Sequence, residues 1–122
     1  MAAQILEGDV LKTSFGYRCI AQDGHECYSL SEKIIDDWLY HHNVAHEKEV
    51  LYPSDEILND TGLRADWRVK DVLIEFAGLL VDPIYAAKID RKKKLCEKFS
   101  IDLIILEPED IGNLEDNLSK IL

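Results

Sequence analysis

Long apolar runs are missing from this chain of 122 residues. A membrane-spanning helix needs about 20 consecutive apolar residues, whereas the longest apolar stretch, residues 72–81, is interrupted by Glu75. The N-terminus also lacks a basic region followed by an apolar segment, which is the pattern of a secretory signal. We therefore expect a cytoplasmic protein that does not contact a membrane.

Cysteine is scarce as well. The three thiols, Cys19, Cys27 and Cys96, include no Cys-x-x-Cys pair of the kind that zinc sites and redox motifs favour. Their odd number and the expected compartment indicate reduced thiols. Cys19, His25 and Cys27 would share a zinc ion only if a fourth ligand completed the site, and two thiols on a short hairpin are the simpler interpretation.

Positive charge is in short supply. Fourteen lysines and arginines oppose 24 aspartates and glutamates, so the formal net charge is −10. Because phosphate contacts dominate non-specific affinity for nucleic acid, this balance argues against such affinity. The charge is uneven, however, since a basic segment at residues 88–94 lies between acidic stretches at 47–60 and 107–116. Nucleic acid binding through the basic segment therefore stays open.

The remaining composition predicts one globular domain, because 47% of the residues are hydrophobic and no internal repeat is present. Residues 1–28 form a lead-in with a hairpin signal at Asp23 and Gly24, to which we assign no chemistry. Residues 29–122 form the main part, which begins with a helix at the capping box of Ser29 and Glu32. This helix ends near residue 43, and its apolar stripe consists of Leu30, Ile34, Ile35, Trp38 and Leu39.

After this helix the pattern alternates between strands and helices. Asp82 and Pro83 supply an N-cap and a first helical residue, and the helix that they open ends near Phe99. The order of helix, three strands, helix, strand and helix predicts an α/β fold with a mixed sheet. The predicted strands are residues 47–52, 62–69, 71–78 and 101–106, and the last helix is residues 113–122.

Asp66 and Glu75 lie in the two strands of a predicted hairpin. An even-length turn at residues 70–71 sets Val69 against Val72, so each further step along the strands places Asp66 opposite Glu75. Like charges that face each other destabilise a sheet, unless a cation or a shared proton removes the conflict. The pair therefore predicts a site for a divalent cation.

A simpler interpretation of Glu75 is that it occupies an edge position, or that it forms an ion pair with Arg64 or Arg68. Asp66 by itself is typical of a solvated strand residue, so its functional interpretation depends on Glu75.

A lysine lies on the core-facing stripe of the second helix. Lys92 falls near the centre of this stripe, and Lys88 lies within it one turn earlier. Because a buried ammonium is costly without an anion, we take Lys92 as the candidate catalytic lysine, with Lys88 as the substitute. The alternative is that Lys92 extends past the core to water. The apolar stripe consists of Ile84, Tyr85, Ile89, Leu95, Cys96 and Phe99.

Glu32 lies at the border of the first helix's stripe. Capping alone would explain it, and a carboxylate at that border is equally able to approach the predicted cation site. His41, His42 and His46 cluster where this helix ends, which is typical of contacts with the helix C-terminus or of a solvated turn. We assign them no catalytic role.

Taken together, residues 29–39, 64–67, 73–78, 85–92 and 101–106 resemble the PD-(D/E)xK nuclease superfamily. The resemblance is strongest to the branch of very-short-patch-repair and restriction-type endonucleases. It implies a restriction endonuclease-like αβββαβ core, in which a helical glutamate, a strand aspartate and a hairpin glutamate surround Mg²⁺. Glu32, Asp66 and Glu75 occupy these three motif positions.

The chain departs from the family pattern at two positions. Ala65 and Ala77 stand where the family usually has a proline and a lysine. In some members that this chain resembles the lysine has migrated to the following helix, which agrees with Lys92 or, in reserve, Lys88.

The resemblance implies a repair or restriction type of endodeoxyribonuclease that depends on Mg²⁺ or Mn²⁺. Asp66, Glu75 and the backbone carbonyl of Phe76 would hold the ion, while DNA would meet the basic segment and the chain would act as a homodimer or with a partner subunit. One alternative is a nuclease-fold domain without cleavage that serves as a protein-interaction or regulatory module, which the net charge and Ala77 favour. Another is an α/β binding domain in which the carboxylate pair is accidental.

Overall fold

A computed structural model of the chain describes residues 4–5, 11–13 and 16–122, with side chains from residue 19 onward. Within these ranges, no helix has the length and apolar character needed to cross a membrane. The strands are β1 Gln4–Ile5, β2 Leu11–Thr13, β3 Gly16–Ile20, β4 Glu26–Cys27, β5 Glu47–Leu51, β6 Arg64–Val69, β7 Val72–Phe76 and β8 Asp102–Leu106. The α-helices are α1 Leu30–His41, α2 Pro83–Phe99 and α3 Leu114–Asn117.

The α/β class and the mixed sheet predicted from the sequence are confirmed. Strands β5, β6, β7 and β8 form a sheet in that order, in which β7 and β8 run parallel and the other neighbours run antiparallel. The parallel pair requires a crossover connection, and α2 supplies it. Strands β1 to β4 form a second, antiparallel sheet at the N-terminal end.

The hairpin signal in the N-terminal part is also confirmed. Strands β3 and β4 pair so that Cys19 lies opposite Cys27. Gly24 lies in the turn with a φ of 94°, a conformation that glycine adopts without a Cβ penalty. The other residues of the predicted lead-in, 1–3, 6–10 and 14–15, lie outside the described residues.

Two apolar layers cover the mixed sheet. On one side α1 and α3 pack against the sheet, and on the other side α2 does so. The first layer contains the buried residues Ile35, Leu39, Trp67, Val69, Ile74, Leu106, Leu114 and Leu118. The second contains Tyr52, Leu63, Ala65, Leu73, Leu95 and Cys96.

The predicted apolar stripe of α1 is partly wrong. Leu30 and Ile34 are about half exposed, whereas Ile35, Asp36 and Leu39 are buried. Compared with the prediction, the helix is therefore rotated about its axis. Its inward-facing positions are Glu32, Ile35, Asp36 and Leu39, which have the i, i+3, i+4, i+7 spacing of one helix face. This rotation brings two acidic side chains of α1 towards the interior, which hydrophobicity alone did not predict.

The ends of the predicted stripe on α2 are also exposed. Ile84 and Phe99 lie at the two ends of the helix and face solvent, while Ile89, Leu95 and Cys96 are buried. The side chains near a helix end extend beyond the sheet that the helix covers, so periodicity overestimates the buried face there.

The single helix predicted for residues 113–122 is wrong. A 3₁₀ helix at Pro108–Asn113 leads into α3, and a second 3₁₀ helix at Ser119–Ile121 follows it. A helix of ten residues is marginal without extensive packing, and in α3 and its flanks only Leu114 and Leu118 are buried. The segment therefore breaks into short turns around these two anchors.

Candidate active site

Asp66 and Glu75 meet as the hairpin register predicts. The ladder between β6 and β7 pairs Val69 with Val72 and ends at the pair of Trp67 and Ile74, one step before Asp66 and Glu75. At this step the side chains bond to the backbone: the amide of Asp66 donates to Glu75 Oε1 at 3.0 Å, and the amide of Phe76 donates to Asp66 Oδ2 at 2.8 Å. These bonds orient both carboxylates towards one place.

A backbone distortion on β5 accompanies this arrangement. Lys48 pairs with Trp67 and Val50 pairs with Ala65, but the ladder omits Glu49. Glu49 has a φ of 55°, a left-handed conformation that costs a non-glycine residue about 1–3 kcal/mol. Strain of this kind is concentrated at functional sites, and here it lies beside Asp66 in the sheet.

Lys92 reaches the carboxylate pair from α2. Its Nζ lies 2.5 Å from Glu75 Oε2, and its side chain is 14% exposed while that of Glu75 is 2% exposed. The alternative that Lys92 extends to water is therefore wrong in this structure. Lys88, the reserve candidate, is exposed on the same helix, so the structure favours Lys92.

The simpler interpretation of Glu75 is also wrong. Glu75 is buried, with 1% of its surface exposed, and its cationic partner is Lys92. Arg68 instead forms an ion pair with Glu47, and Arg64 donates to the backbone oxygen of Glu49.

Glu32 caps α1 and also bonds to Lys48. The amide of Glu32 donates to Ser29 Oγ at 3.1 Å, which confirms the N-cap, and the amide of Tyr28 donates to Glu32 Oε1 at 3.2 Å. The same oxygen accepts a hydrogen bond from Lys48 Nζ at 3.0 Å. Because the charges of Glu32 and Asp66 both act on Lys48, the capping carboxylate lies at the edge of the site.

The protonation of the site reflects burial and crowding of negative charge. Burial, together with the charges of Glu75 and Glu32, raises the pKa of Asp66 to about 8. Burial also raises the pKa of Glu75, although the ammonium of Lys92 opposes the shift. The pKa of Lys48 is raised as well, because neighbouring carboxylates outweigh the burial that acts to lower it. The charges of Glu75 and Glu32 are the part of the Asp66 shift that a bound cation would relieve.

The backbone carbonyl of Phe76 has a partner that the sequence did not indicate. The hydroxyl of Tyr85 donates to this oxygen at 2.8 Å, and burial together with the charges of Asp66 and Glu75 raises the pKa of Tyr85 to about 12. A carbonyl oxygen has two lone pairs, so this bond leaves one acceptor position.

The donor atoms fit a hard divalent cation. Carboxylate oxygens of Asp66 and Glu75 and the carbonyl oxygen of Phe76 are the ligands that Mg²⁺ and Mn²⁺ prefer. Lys92 already balances one negative charge of Glu75. These ligands would suit a magnesium ion that one or two carboxylates hold together with water or substrate oxygens.

Comparisons with known protein families, with curated proteins and with solved structures find no match. Any function assigned to this site therefore depends on its geometry and chemistry.

Sequence reasoning missed two residues of the site. Lys48 is nearly buried and lies 4.4 Å from the centre of the Trp67 ring, on the same side of the sheet. Tyr52 is buried, and Lys92 Nζ lies 5.5 Å from its ring centre. The pairing of β5 with β6 places Lys48 opposite Trp67. A prediction of this pairing from the sequence would therefore have identified Lys48 as a neighbour of the site.

A second polar cluster lies between the N-terminal hairpin and α1, and sequence reasoning missed it. We call Asp23, His25, Asp36 and His46 the Asp/His cluster. One ligand atom from each residue lies within 4.8 Å of those of the other three, so the cluster could hold a metal ion. Among the described residues, no other set of three or more His, Cys, Asp or Glu side chains meets this condition.

The sequence interpretation of the three histidines is corrected for His46. His46 does not share a solvated turn with His41 and His42, because its side chain is 5% exposed and faces Asp23 and Asp36. His42 does contact the helix C-terminus, through the carbonyl of Trp38.

The set of Cys19, His25 and Cys27 is not the group that the structure assembles, since His25 faces carboxylates. All three cysteines are buried thiols, as predicted. Two residues of the predicted lead-in, Asp23 and His25, belong to the Asp/His cluster, although no chemistry was assigned to the lead-in from the sequence.

Asp36 connects the two sides of the cluster. Burial acts to raise the pKa of this carboxyl, but the neighbouring polar groups of His46, Asp23 and Trp67 lower it below its ordinary value. Burial acts to lower the pKa of His46, but Asp36 and the carbonyl of Val44 raise it to about 9. Nothing in the sequence signals this arrangement, because its members are separated by ten or more residues outside the hairpin.

Proposed function

We propose that this chain is a metal-dependent nuclease of the PD-(D/E)xK type that hydrolyses phosphodiester bonds in DNA. The observation that carries the proposal is the convergence of Asp66, Glu75 and Lys92, since each carboxylate is oriented by a backbone amide and the lysine contacts Glu75 at 2.5 Å. Two oriented carboxylates and a lysine are the parts that a phosphodiesterase needs to hold a cation and offset phosphate charge.

The order of elements supports the proposal. Helix α1, strands β5 to β7, helix α2 and strand β8 follow the αβββαβ order of a restriction endonuclease-like core. The three groups lie on β6, β7 and α2, and Glu32 lies on α1 at the edge of the site. Because a fold can host many functions, the side chains carry more weight than the order of elements.

Asp66, Glu75 and the free acceptor position of Phe76 would hold Mg²⁺ or Mn²⁺. The ion supplies Lewis-acid stabilisation of the phosphoryl oxygens when it is bound. Backbone amides already orient both carboxylates before the metal binds, so the two side chains lose little rotamer entropy when they bind it. The charge of Lys92 limits how much positive charge the pair can still accept, which is consistent with a loosely held hydrated ion.

Lys92 acts as a cation in the proposed reaction. Its Nζ contacts Glu75 Oε2, and an ammonium donates hydrogen bonds but accepts none. It therefore orients the attacking water and offsets charge that develops on the phosphate, while solvent takes the proton that the water loses. The bond from the water oxygen to phosphorus forms as the bond to the leaving oxygen breaks, and the leaving oxygen takes a proton from solvent.

DNA would approach along the exposed basic side of α2. Lys93 and Lys94 are exposed there, next to Lys92 in the sequence. Lys94 forms an ion pair with Asp90, so part of this charge is already compensated. With a net charge of −10, the chain depends on this local strip, and we expect affinity that falls steeply with added salt.

A second candidate function is a nuclease-fold domain without cleavage that acts as a protein-interaction or regulatory module. Ala77, where the family usually has its lysine, is buried and leaves no room for a cation at that position. Under this alternative Lys92 is a permanent structural partner of Glu75, and the site binds metal without hydrolysis.

Cleavage of plasmid, linear, single-stranded and branched DNA with Mg²⁺, Mn²⁺ or a chelator tests the proposal. We expect cleavage that needs the metal and falls at least about 100-fold in Glu75→Gln and in Lys92→Met. Lys88→Met is the matched control, because it removes an exposed lysine from the same helix without touching the carboxylates. Metal binding without cleavage of any substrate would support the inactive module, and cleavage that persists in Glu75→Gln would contradict the assigned site.

A further inference from the structure

We propose that the Asp/His cluster binds one transition-metal ion, for which Zn²⁺ is the best chemical match, as a closed site that holds the N-terminal hairpin to α1. This proposal is independent of the nuclease proposal. It concerns other residues, and its test measures bound metal rather than cleavage.

The distances between the ligand atoms are the first observation that supports a bound ion. His46 Nε2 lies 2.8 Å from Asp23 Oδ2 and 3.3 Å from Asp36 Oδ1. His25 Nδ1 lies 3.0 Å from Asp23 Oδ2 and 3.1 Å from Asp36 Oδ2. Four ligands about 2.1 Å from a tetrahedral ion are about 3.4 Å apart. Small shifts of these side chains would therefore place the four ligand atoms at the distances that a tetrahedral ion requires.

Unsatisfied polar atoms carry the second step. His46 Nε2, Asp36 Oδ1 and Asp23 Oδ2 are buried and make no hydrogen bond within the described part of the chain. His46 Nε2 is close enough to Asp23 Oδ2 for a hydrogen bond, but the angle between the two groups is unsuitable for one. Buried polar atoms are nearly always paired, and three unpaired atoms this close together indicate a shared partner between them.

The tautomer of His46 carries the third step. Its Nδ1 lies 2.7 Å from the backbone oxygen of Val44, which can only accept, so Nδ1 bears the proton. In the neutral ring Nε2 then offers its lone pair to the cluster. A histidine ligand is usually held in this way, by a hydrogen bond from its other nitrogen to a carbonyl or carboxylate.

A similar outer contact holds Asp36. The indole Nε1 of Trp67 donates to Asp36 Oδ2 at 2.9 Å, and both residues are fully buried. The contact orients the carboxylate from the side of the mixed sheet. Outer contacts of this kind on two of the four residues are typical of a built metal site.

The donor set selects the metal. Two imidazole nitrogens and two carboxylate oxygens suit tetrahedral Zn²⁺, whereas Mg²⁺ and Ca²⁺ prefer six or more oxygens. Two carboxylates and two neutral imidazoles also balance the charge of the ion. Four protein ligands leave no open position, so the site is structural rather than catalytic.

The ligands come from three separate places in the chain. Asp23 and His25 lie in the β3–β4 hairpin, Asp36 lies on α1, and His46 precedes β5. A bound ion would tie the N-terminal hairpin to the helix that covers the mixed sheet. Loss of the ion is then expected to loosen this hairpin first.

Metal content and Co²⁺ spectra test the proposal on the untagged chain. We expect the purified protein to retain about one zinc ion per chain, and the chelated protein to bind Co²⁺ with the intense visible absorption of a tetrahedral site. His25→Gln and His46→Gln should weaken binding more than about 100-fold, because even outer-shell partners cost 10–100-fold. His42→Gln, a histidine at the same helix end that contacts Trp38 instead, is the matched control and should bind like wild type.

One further variant, Glu75→Gln, and the partial exposure of His25 make the outcome unambiguous. Glu75→Gln should retain the metal, and loss of the metal in that variant would place the ion at the other site and overturn the proposal. His25 is about one-third exposed, so His25→Gln is expected to fold even if His46→Gln does not. Absence of bound zinc and of a tetrahedral Co²⁺ spectrum in wild type would overturn the proposal, and the cluster would then be an ion network with a protonated His46. Binding that survives in His25→Gln would overturn it as well.

Discussion

Glu75 accepts a hydrogen bond from the backbone amide of Asp66, the residue whose carboxylate it faces across the hairpin. The carboxylate of Asp66 in turn accepts the next amide along β7, that of Phe76. Each acidic side chain is thus held by the strand that carries the other. Two carboxylates that would repel each other as free side chains are kept together by the backbone, and this forced proximity underlies several measurable properties.

The pKa of Asp66 depends on the charge of Glu75. Burial raises this pKa to about 8, and Glu75 is the largest contributor among neighbouring charges. In Glu75→Gln without metal, the pKa of Asp66 should fall but stay above its ordinary value, because burial persists. Carboxyl NMR titration of the two proteins checks this, and a pKa of Asp66 that does not change would show that the two groups are not coupled.

Stability should fall as the pH rises from about 4 to about 8 in the presence of a chelator. The folded state keeps a proton on Asp66 up to about pH 8, whereas an unfolded carboxyl loses it near 3.8. The folded state therefore binds more protons in this window, and the free energy of unfolding decreases by at most about 1.4 kcal/mol per pH unit.

Urea unfolding at several pH values measures this slope. Asp66→Asn is the control and should show a smaller decrease, although His46, whose pKa is raised to about 9, contributes in the same direction between pH 6.5 and 9. Equal slopes for the two proteins would contradict the assigned titration of Asp66.

Lys92 and Lys88 should differ in their effect on stability. Lys92→Met leaves Glu75 buried without its cation, and breaking a buried ion pair costs about 3 kcal/mol. Lys88→Met changes an exposed residue and should cost less than about 0.5 kcal/mol. Urea unfolding at neutral pH compares the two variants, and equal losses would show that the ion pair contributes little.

The cysteines should be unreactive in the native protein. Burial raises the pKa of Cys27 to about 12 and that of Cys96 to about 11, so almost no thiolate is present at pH 8. Cys19 is also fully buried. A thiol reagent should therefore modify three cysteines in denaturant and almost none in the native state, and rapid modification of the native protein would contradict the described packing.

The N-cap of α2 should contribute measurably to stability. Asp82 accepts hydrogen bonds from the amides of Ile84 and Tyr85, so Asp82→Ala should cost about 1 kcal/mol. Asp90→Ala is the matched control on the same helix, because Asp90 forms only an exposed ion pair with Lys94, which is worth about 0.5 kcal/mol or less. Thermal and urea unfolding check the difference, and an equal effect of both changes would argue against the cap.

Much of the mixed sheet could be predicted because its signals are local. The turn at residues 70–71 sets the register of the hairpin, and Asp82 with Pro83 marks the start of α2 within one residue. Periodicity also placed Lys92 on the covered side of α2, although only three of the six residues of the predicted stripe, Ile89, Leu95 and Cys96, are buried.

The rotation of α1 could not be predicted in the same way. Leu30 and Ile34 are as hydrophobic as Ile35, and only the neighbouring hairpin and sheet decide which of them is buried. That rotation turns Asp36 inward, where Trp67 and His46 satisfy it. A buried aspartate is too costly to expect without knowing its partners.

The sequence by itself determined the α/β class, the hairpin and the facing of Asp66 and Glu75, because strand alternation and turn length act between residues close in the chain. The tertiary structure alone decided that Lys48 joins Glu32 and that Asp23, His25, Asp36 and His46 converge. These contacts join distant segments, and their free energy depends on burial and on the direction of each polar atom, which only the packed chain defines.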